Sequence, residues 1–347
     1  MSWAQEYKVL DGPGLADRAL GDCVKLYKEA EPRLAQLVSD EKDEFSHDDA
    51  VTWLSAASAS HRTCLDGLRE KGLLFEAQQA QNLTRVIREA LEVYGADGNQ
   101  RRKRKGKVVR RRPGLNNLGG PLSSWDASTS KADFVVAQDG SGNYKTINDA
   151  VAALAQLGQK QAQRVVVYVK SGVYKEKVEI GGDLKNIMFV GDGIDKTIVT
   201  GNQNVQDGAT TLNSATFGVS GDGFWARDMT FENTAGPQKH QAVALRVSSD
   251  LSVFYRCSFK GYQDTLLVHS LRQFYRECQI YETDGSPIQH DNGTGTGRSQ
   301  REHGDFDFEF SRDALVRIPR CQGQFQELSR EAVEKVLEDR VSEDGFG

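Results

Sequence analysis

The sequence predicts a coiled all-β solenoid preceded by a small helical bundle, and three observations carry this. The segment Phe254-Tyr255-Arg256-Cys257 returns as Phe274-Tyr275-Arg276-Glu277-Cys278, with Cys257 and Cys278 in equivalent places. A near-repeat at a period of roughly 20 residues marks stacked supersecondary units, each of which buries its apolar side only against the next. From Asp133 onward, short runs rich in Val, Ile and Phe alternate with turn residues. Residues 15–95 instead place apolar residues at helical spacing, with charges between them.

In the helical region Leu20, Val24, Tyr27, Leu34 and Leu37 trace one stripe. Asp48-Asp49-Ala50-Val51-Thr52-Trp53-Leu54-Ser55 opens a second helix, its carboxylates suited to a positive helix N-terminus. Leu83, Val86, Ile87, Ala90 and Leu91 form a third stripe, and three antiparallel helices would bury all three. From Lys131 the period changes. Asp133-Phe134-Val135-Val136-Ala137 reads as a strand before the turn Asp139-Gly140-Ser141-Gly142-Asn143, and Ile147 to Leu157 as a short amphipathic helix. Strands are expected over Val165–Val169, Ile187–Val190, Thr216–Val219, Met229–Glu232, Val243–Val247, Ser252–Phe259 and Gln273–Ile280. Gly191-Asp192-Gly193 and Gly221-Asp222-Gly223 punctuate them. Residues 282–347 break the pattern, so the solenoid is expected to end early, with a poorly packed tail and an exposed last coil.

No long uninterrupted apolar run is present, and no membrane span is expected. The start, Met1-Ser2-Trp3-Ala4-Gln5-Glu6, shows no signal peptide. An incomplete amino terminus is the simplest account, and an intracellular form the alternative. The net charge is −5, but nine Lys or Arg fall between Arg101 and Arg112, leaving −5 − 9 = −14 elsewhere. That run reads as a nuclear or nucleic-acid patch, a solvated loop, or an exposed linker open to a protease. The linker reading is preferred because the run separates two differently patterned regions, and no nucleic-acid partner is expected. Of five cysteines, Cys23 and Cys64 lie in the helical region. Cys257 and Cys278 stack in neighbouring coils, either paired or as two buried thiols, the thiols being preferred. Asn82-Leu83-Thr84 and Asn292-Gly293-Thr294 are glycosylation sequons, meaningful only on an exported chain.

The chemistry concentrates at Gly261-Tyr262-Gln263-Asp264-Thr265-Leu266, where an amide adjoins a carboxylate. Gln241 lies one coil earlier than this pair. Polar groups one period apart stack on one face, so a solenoid can assemble a site from distant segments. A lone Gln in such a fold is usually a surface or ladder residue and a lone Asp a turn cap; the adjacent pair one coil from another Gln shifts the balance to function. Phe217, Tyr262 and Trp225 offer aromatic surface to a sugar, each equally suited to the core.

These residues, with Gly172-Val173-Tyr174-Lys175-Glu176, Ser214-Ala215-Thr216-Phe217, Asn233-Thr234-Ala235-Gly236-Pro237 and Gln241-Ala242-Val243-Ala244-Leu245-Arg246, resemble the plant pectin methylesterases over about Ala132 to Tyr281. A weaker resemblance, over Leu15 to Tyr94, is to the inhibitor-like pro-region of that family. The resemblance implies a right-handed parallel β-helix, incomplete at its C-terminal end, after a small truncated helical bundle. It divides the chain into an inhibitor-like helical pro-region (1–100), a basic processing linker (101–131), a pectinesterase-like β-helix (132–281) and a divergent tail (282–347). It also implies a disulfide between two helices of the pro-region and a processing protease acting at the linker.

The implied activity is de-esterification of methylated galacturonan in cell-wall pectin, outside the cell and without metal or cofactor. Carried over, Asp264 matches the general acid/base, Gln263 and Gln241 the amide donors, and Thr211 a substrate contact. The nucleophilic carboxylate belongs one coil after Asp264, at the place this chain fills with Gly285, and Asp284 stands one position early. A one-residue shift in a strand turns the side chain to the other face. The Gly-Arg-Pro-Trp segment that supplies an orienting Arg is also missing. The alternatives are therefore a catalytically impaired relative that binds pectin, or a protein acting through its inhibitor-like region, with self-interaction between the two regions. A pectate lyase needs a Ca²⁺-binding acidic cluster and fits less well.

Overall fold

The computed structural model describes residues 15–39, 45–73, 80, 82–94, 121–157, 164–282 and 313–316. They fall into two units, one within residues 1–117 and one within 118–347.

In the first unit, helix α1 (Leu15–Val38) packs on α2 (His47–Glu70), and a third helix, α3, spans residues 82–94. Helix α2 starts with a reciprocal cap: Ser46 accepts from the Asp49 amide, and the Asp49 carboxylate accepts from the Ser46 amide. Ala19, Leu20, Cys23 and Leu26 form the buried stripe of α1, and a Cys23–Cys64 disulfide joins α1 to α2. On α3, Ile87 is buried, whereas Leu83 and Val86 are exposed. The expectation that the whole third stripe is buried is thus corrected, because packing covers only a narrow arc of this helix.

A polar chain crosses the helices: the Tyr27 hydroxyl meets His61 Nδ1 at 2.8 Å, and His61 Nε2 meets Thr84 Oγ1 at 2.8 Å. His61 is buried, and burial, then the Arg69 charge, lowers its pKa. Burial also pushes the Tyr27 phenol up to about 12. With the folded imidazole held neutral, the unfolded chain takes up the proton first. The His61 contribution to stability is therefore present above about pH 6.5, the unfolded value, and is lost as pH falls through the lower folded value. Thermal melts of the helical unit should drop between about pH 7.5 and pH 5, and His61→Gln should flatten that slope. An unchanged slope in the variant would place the titrating group elsewhere.

The second unit is a parallel β-helix of three sheets, wound right-handed as parallel crossovers are. The first sheet contains β1 (Phe134–Val136), β2 (Val165–Val169), β5 (Ile187–Gly191), β8 (Trp225–Arg227), β11 (Ser252–Tyr255) and β14 (Gln273–Arg276). The second contains β3 (Gly172–Lys175), β6 (Thr197–Gly201), β9 (Thr230–Asn233), β12 (Ser258–Gly261) and β15 (Gln279–Glu282). The third contains β4 (Val178–Ile180), β7 (Phe217–Val219), β10 (Leu245–Val247) and β13 (Leu266–Val268). Each turn of the solenoid visits the three sheets in that order.

The coil interior is a column of aromatic rings. Phe189, Phe217, Phe224, Phe231, Phe254, Phe259 and Tyr275 are all fully buried. Phe254 stacks on Tyr275 with centroids 5.0 Å apart and planes 8° apart. Helix α4 (Pro121–Ser124) and Trp125 lie on the outer face of the first sheet, where Trp125 packs against Met188, Val190 and Tyr168. Helix α5 (Ile147–Leu157) buries Ile147, Ala150 and Leu154 at the amino-terminal end of the column. The Glu176 carboxylate caps it, accepting from the Ile147 and Asn148 amides at 2.9 Å each. This gives the Glu of the Gly172–Glu176 motif a physical role: an anion at a positive helix end.

The last three corners from the first sheet to the second are two residues long, and the first residue of each is left-handed: Asp228 (φ 56°), Arg256 (φ 48°) and Glu277 (φ 52°). The second residue, Met229, Cys257 or Cys278, points inward and is buried. Arg256 bridges coils by donating twice to the Asp228 carboxylate, at 2.8 Å each. Single strands expected over Ser252–Phe259 and Gln273–Ile280 are therefore corrected to two strands each. Cys257 and Cys278 are free buried thiols, and burial pushes Cys257 well above the usual thiol value.

The spacing of the two cysteines also sets the register. Phe254 pairs with Tyr275 and Tyr255 with Arg276, not with their namesakes, because the second copy carries one extra residue before its cysteine. The expectation of a bare last coil is corrected on the first sheet, where β16 (Asp313–Val316) pairs antiparallel with β14. Cys321, Asn292 and the rest of the tail lie outside the described residues.

Candidate active site

Every described residue assigned to the site lies at one corner of the solenoid, where the chain passes from the second sheet to the third. Thr211 lies between β6 and β7, Gln241 between β9 and β10, and Gln263 and Asp264 between β12 and β13. Asp284 and Gly285 follow β15 in the sequence and lie outside the described residues.

Gln241 and Gln263 form a parallel bridge between successive coils. The Ala242 amide donates to the Gln263 carbonyl at 3.1 Å, and the Val205 amide to the Gln241 carbonyl at 3.1 Å. Three coils are thus in register at this corner. The offset between the bridged pair Gln241 and Gln263 is one residue longer than that between the paired Leu245 and Leu266. The difference is a bulge, in which the Ala244 and Leu245 amides both donate to the Thr265 carbonyl, at 3.0 and 3.2 Å. Bulges re-aim side chains. Here the bulge adjoins Asp264, whose backbone is left-handed (φ 62°).

Gln241, Tyr262, Gln263 and Asp264 are each half-buried. Gly261 is required by the turn: a Cβ there would sit 2.9 Å from Thr265 Oγ1, which donates to the Tyr262 carbonyl at 3.2 Å. Thr211 precedes the 3₁₀ turn Leu212–Ser214, and its carbonyl accepts from Ser214 Oγ at 2.8 Å. Ser214 Oγ in turn accepts from the Val243 amide at 3.1 Å, linking the Thr211 and Gln241 segments.

Around this corner, Lys239 pairs with Asp207 at 2.6 Å and Lys177 donates to Gln203 Oε1 at 2.6 Å. The Lys239 hydrogen bond, then that of Asn204, lowers the Asp207 pKa. Of the aromatic candidates, Tyr262 adjoins the amide and carboxylate, whereas Phe217 is core. Trp225 is on the first sheet, with the Arg164 guanidinium 3.4 Å above its ring. Arg246 is buried on β10 and engages Glu179 and Ser248 across Gly218, whose missing side chain leaves the path open. Among the described residues no cluster of three or more His, Cys, Asp or Glu is placed to hold a metal ion, and no helix is long and apolar enough to cross a membrane.

The repeat spacing pointed to Gln241, Gln263 and Asp264, and the fold brings them to one corner; the buried hydrogen bonds of Asn233 and Ser214 beside them follow no sequence period.

The pectinesterase family profile matches residues 133–285, and the plant invertase/pectin methylesterase inhibitor profile matches residues 4–93. Probable pectinesterase/pectinesterase inhibitor 36 of Arabidopsis thaliana is 53% identical over 288 residues, covering 76% of this chain and 55% of that protein. Pectinesterase 2 of Citrus sinensis is 48% identical over 264 residues, covering 76% of this chain and 49% of that protein. The solved pectin methylesterase from carrot is 55% identical, covering 45% of this chain and 48% of its own, with a TM-score of 0.43. The chain spans about half the length of the curated relatives it matches.

Proposed function

This chain belongs to the pectinesterase family, in the form that joins an inhibitor region to an esterase region, and on that footing we propose a pectinesterase-type carboxylic ester hydrolase. Its substrate is methylated galacturonan of cell-wall pectin. One observation carries the reading: Gln241 and Gln263 are bridged on successive coils, with Asp264 beside them.

Ester hydrolysis needs a proton for departing methanol, an activated water, and donors for the oxyanion. A carboxylate, for which Asp284 is the candidate, attacks the ester carbonyl while Asp264 gives a proton to the departing methanol. Asp264 then removes a proton from the water that attacks the acyl intermediate and frees the attacking carboxylate. The Gln241 and Gln263 amides supply neutral donors, which stabilise developing negative charge without offering a competing proton. Thr211 contacts the sugar. Hydrolysis through carboxylates calls for no cofactor. The basic run Arg101–Arg112 is the processing site for a protease, and the inhibitor-like region acts on an esterase region of its own kind.

A second reading, pectin binding without turnover, is favoured by the sequence: Gly285 stands 21 residues after Asp264, at the position where the family resemblance expects the nucleophilic carboxylate. The displaced Asp284 is the remaining candidate carboxylate there. The test is methanol release by the whole chain from highly methylated pectin, with pectin binding measured in parallel. Turnover supports the first reading, and binding with no methanol the second. A folded chain that neither binds nor releases methanol defeats both.

A further inference from the structure

Asn233 closes β9 and is buried to 1% exposure. Its Nδ2 donates to the Gln203 carbonyl at 2.9 Å and the Val243 carbonyl at 3.0 Å, with the Ser214 carbonyl at 3.4 Å. Its Oδ1 accepts from the Ala235 amide at 3.1 Å. A primary amide has two donor hydrogens and an acceptor oxygen, so this side chain serves the Gln203, Val243 and Ala235 backbone, with one hydrogen shared with the more distant Ser214 carbonyl.

Those stretches carry the site. Ser214 holds the Thr211 carbonyl through its hydroxyl and receives the Val243 amide on the same oxygen. Val243 is two residues from Gln241, and Gln203 two from Val205, whose amide holds the Gln241 carbonyl. The loops themselves have little regular structure, so their relative placement depends on such buried side-chain bonds. Breaking them would remove the side-chain ties between these loops, although the Val243 carbonyl keeps the Thr216 amide at 3.0 Å.

Building on the reading above, we propose that Asn233 is the positioning residue of this site, fixing the spacing between Thr211 and Gln241 without touching substrate. The full chain is compared with Asn233→Ala and with Thr197→Ala, which removes another buried bond, Thr197 Oγ1 to the Val169 carbonyl at 3.0 Å, from a corner outside the site. Binding of a methyl-esterified galacturonate oligomer is measured by calorimetry well below the melting temperature, and amide exchange is followed peptide by peptide.

Asn233→Ala should weaken oligomer binding by about tenfold or more and speed exchange in residues 203–214 and 241–245. Thr197→Ala should lower the melting temperature and leave binding little changed. Asn233→Ser, which keeps one donor, should fall between and takes the place of alanine if that variant does not fold. Unchanged exchange in those segments overturns the proposal, as does faster exchange with binding intact. If the unsubstituted chain does not bind the oligomer, the functional reading falls, and exchange alone decides whether Asn233 clamps these loops.

Discussion

Phe254→Ala should destabilise the β-helix by about 3–5 kcal/mol, the usual cost of deleting a fully buried ring. Phe254 is fully buried, with ring centroids of Phe224, Phe231, Phe259 and Tyr275 at 5.9, 6.3, 6.1 and 5.0 Å. Its ring therefore touches the coils below and above as well as its own. The vacated space cannot collapse easily, because its walls are strands fixed by ladder hydrogen bonds on both sides. At a slope of about 3 kcal/mol/M, the urea midpoint should fall by roughly 1–2 M. A loss below about 1 kcal/mol would show that the column is not tightly packed there. Substitution at Phe274 is the control. It is chemically the same residue in the neighbouring copy, but half-exposed on the outer face, so its truncation should cost far less.

That contrast shows where the sequence was informative. The repeat period was legible because burial selects apolar residues at a fixed interval, and Cys257 and Cys278 announced it. The residue-by-residue alignment of the copies was not. Phe254 and Phe274 look equivalent, yet Phe254 pairs with Tyr275. The corners were hidden for a related reason. Arg256 and Glu277 adopt positive φ although neither is Gly, Asn or Asp, so Ser252–Phe259 read as one strand. The conformation is imposed by stacking on Asp228 and by the inward residue that follows, both long-range effects. At the site, a polar side chain repeated at the coil spacing pointed to Gln241 and Gln263. The bulge that absorbs the extra residue between them left no trace in composition. Asn233 stood within a recognisable motif, but its partners Gln203 and Val243 lie on other coils and loops, and only folding reveals them.

Asp264→Asn should cut methanol release by about 10²–10⁴, the span expected when a positioned acid/base is removed. At about 1.36 kcal/mol per tenfold, that is roughly 3–5 kcal/mol of lost transition-state stabilisation. Asparagine is the informative replacement because Asp264 is left-handed (φ 62°). Asn and Asp tolerate that conformation, whereas alanine would add backbone strain to the chemical loss. Pectin affinity should hardly move, since the amides of Gln241 and Gln263 and the contact at Thr211 remain. The effect should therefore appear in kcat rather than KM. The companion variant Gly285→Asp supplies a carboxylate at the family's nucleophile position and should raise methanol release above that of the unsubstituted chain. Adding Asp264→Asn to it should abolish the gain, because the attacking and proton-shuttling carboxylates act in one sequence. If Asp264→Asn left methanol release unchanged in a chain that turns over, the proton would be carried by another group, and the stacked amides would have to be read as a structural ladder.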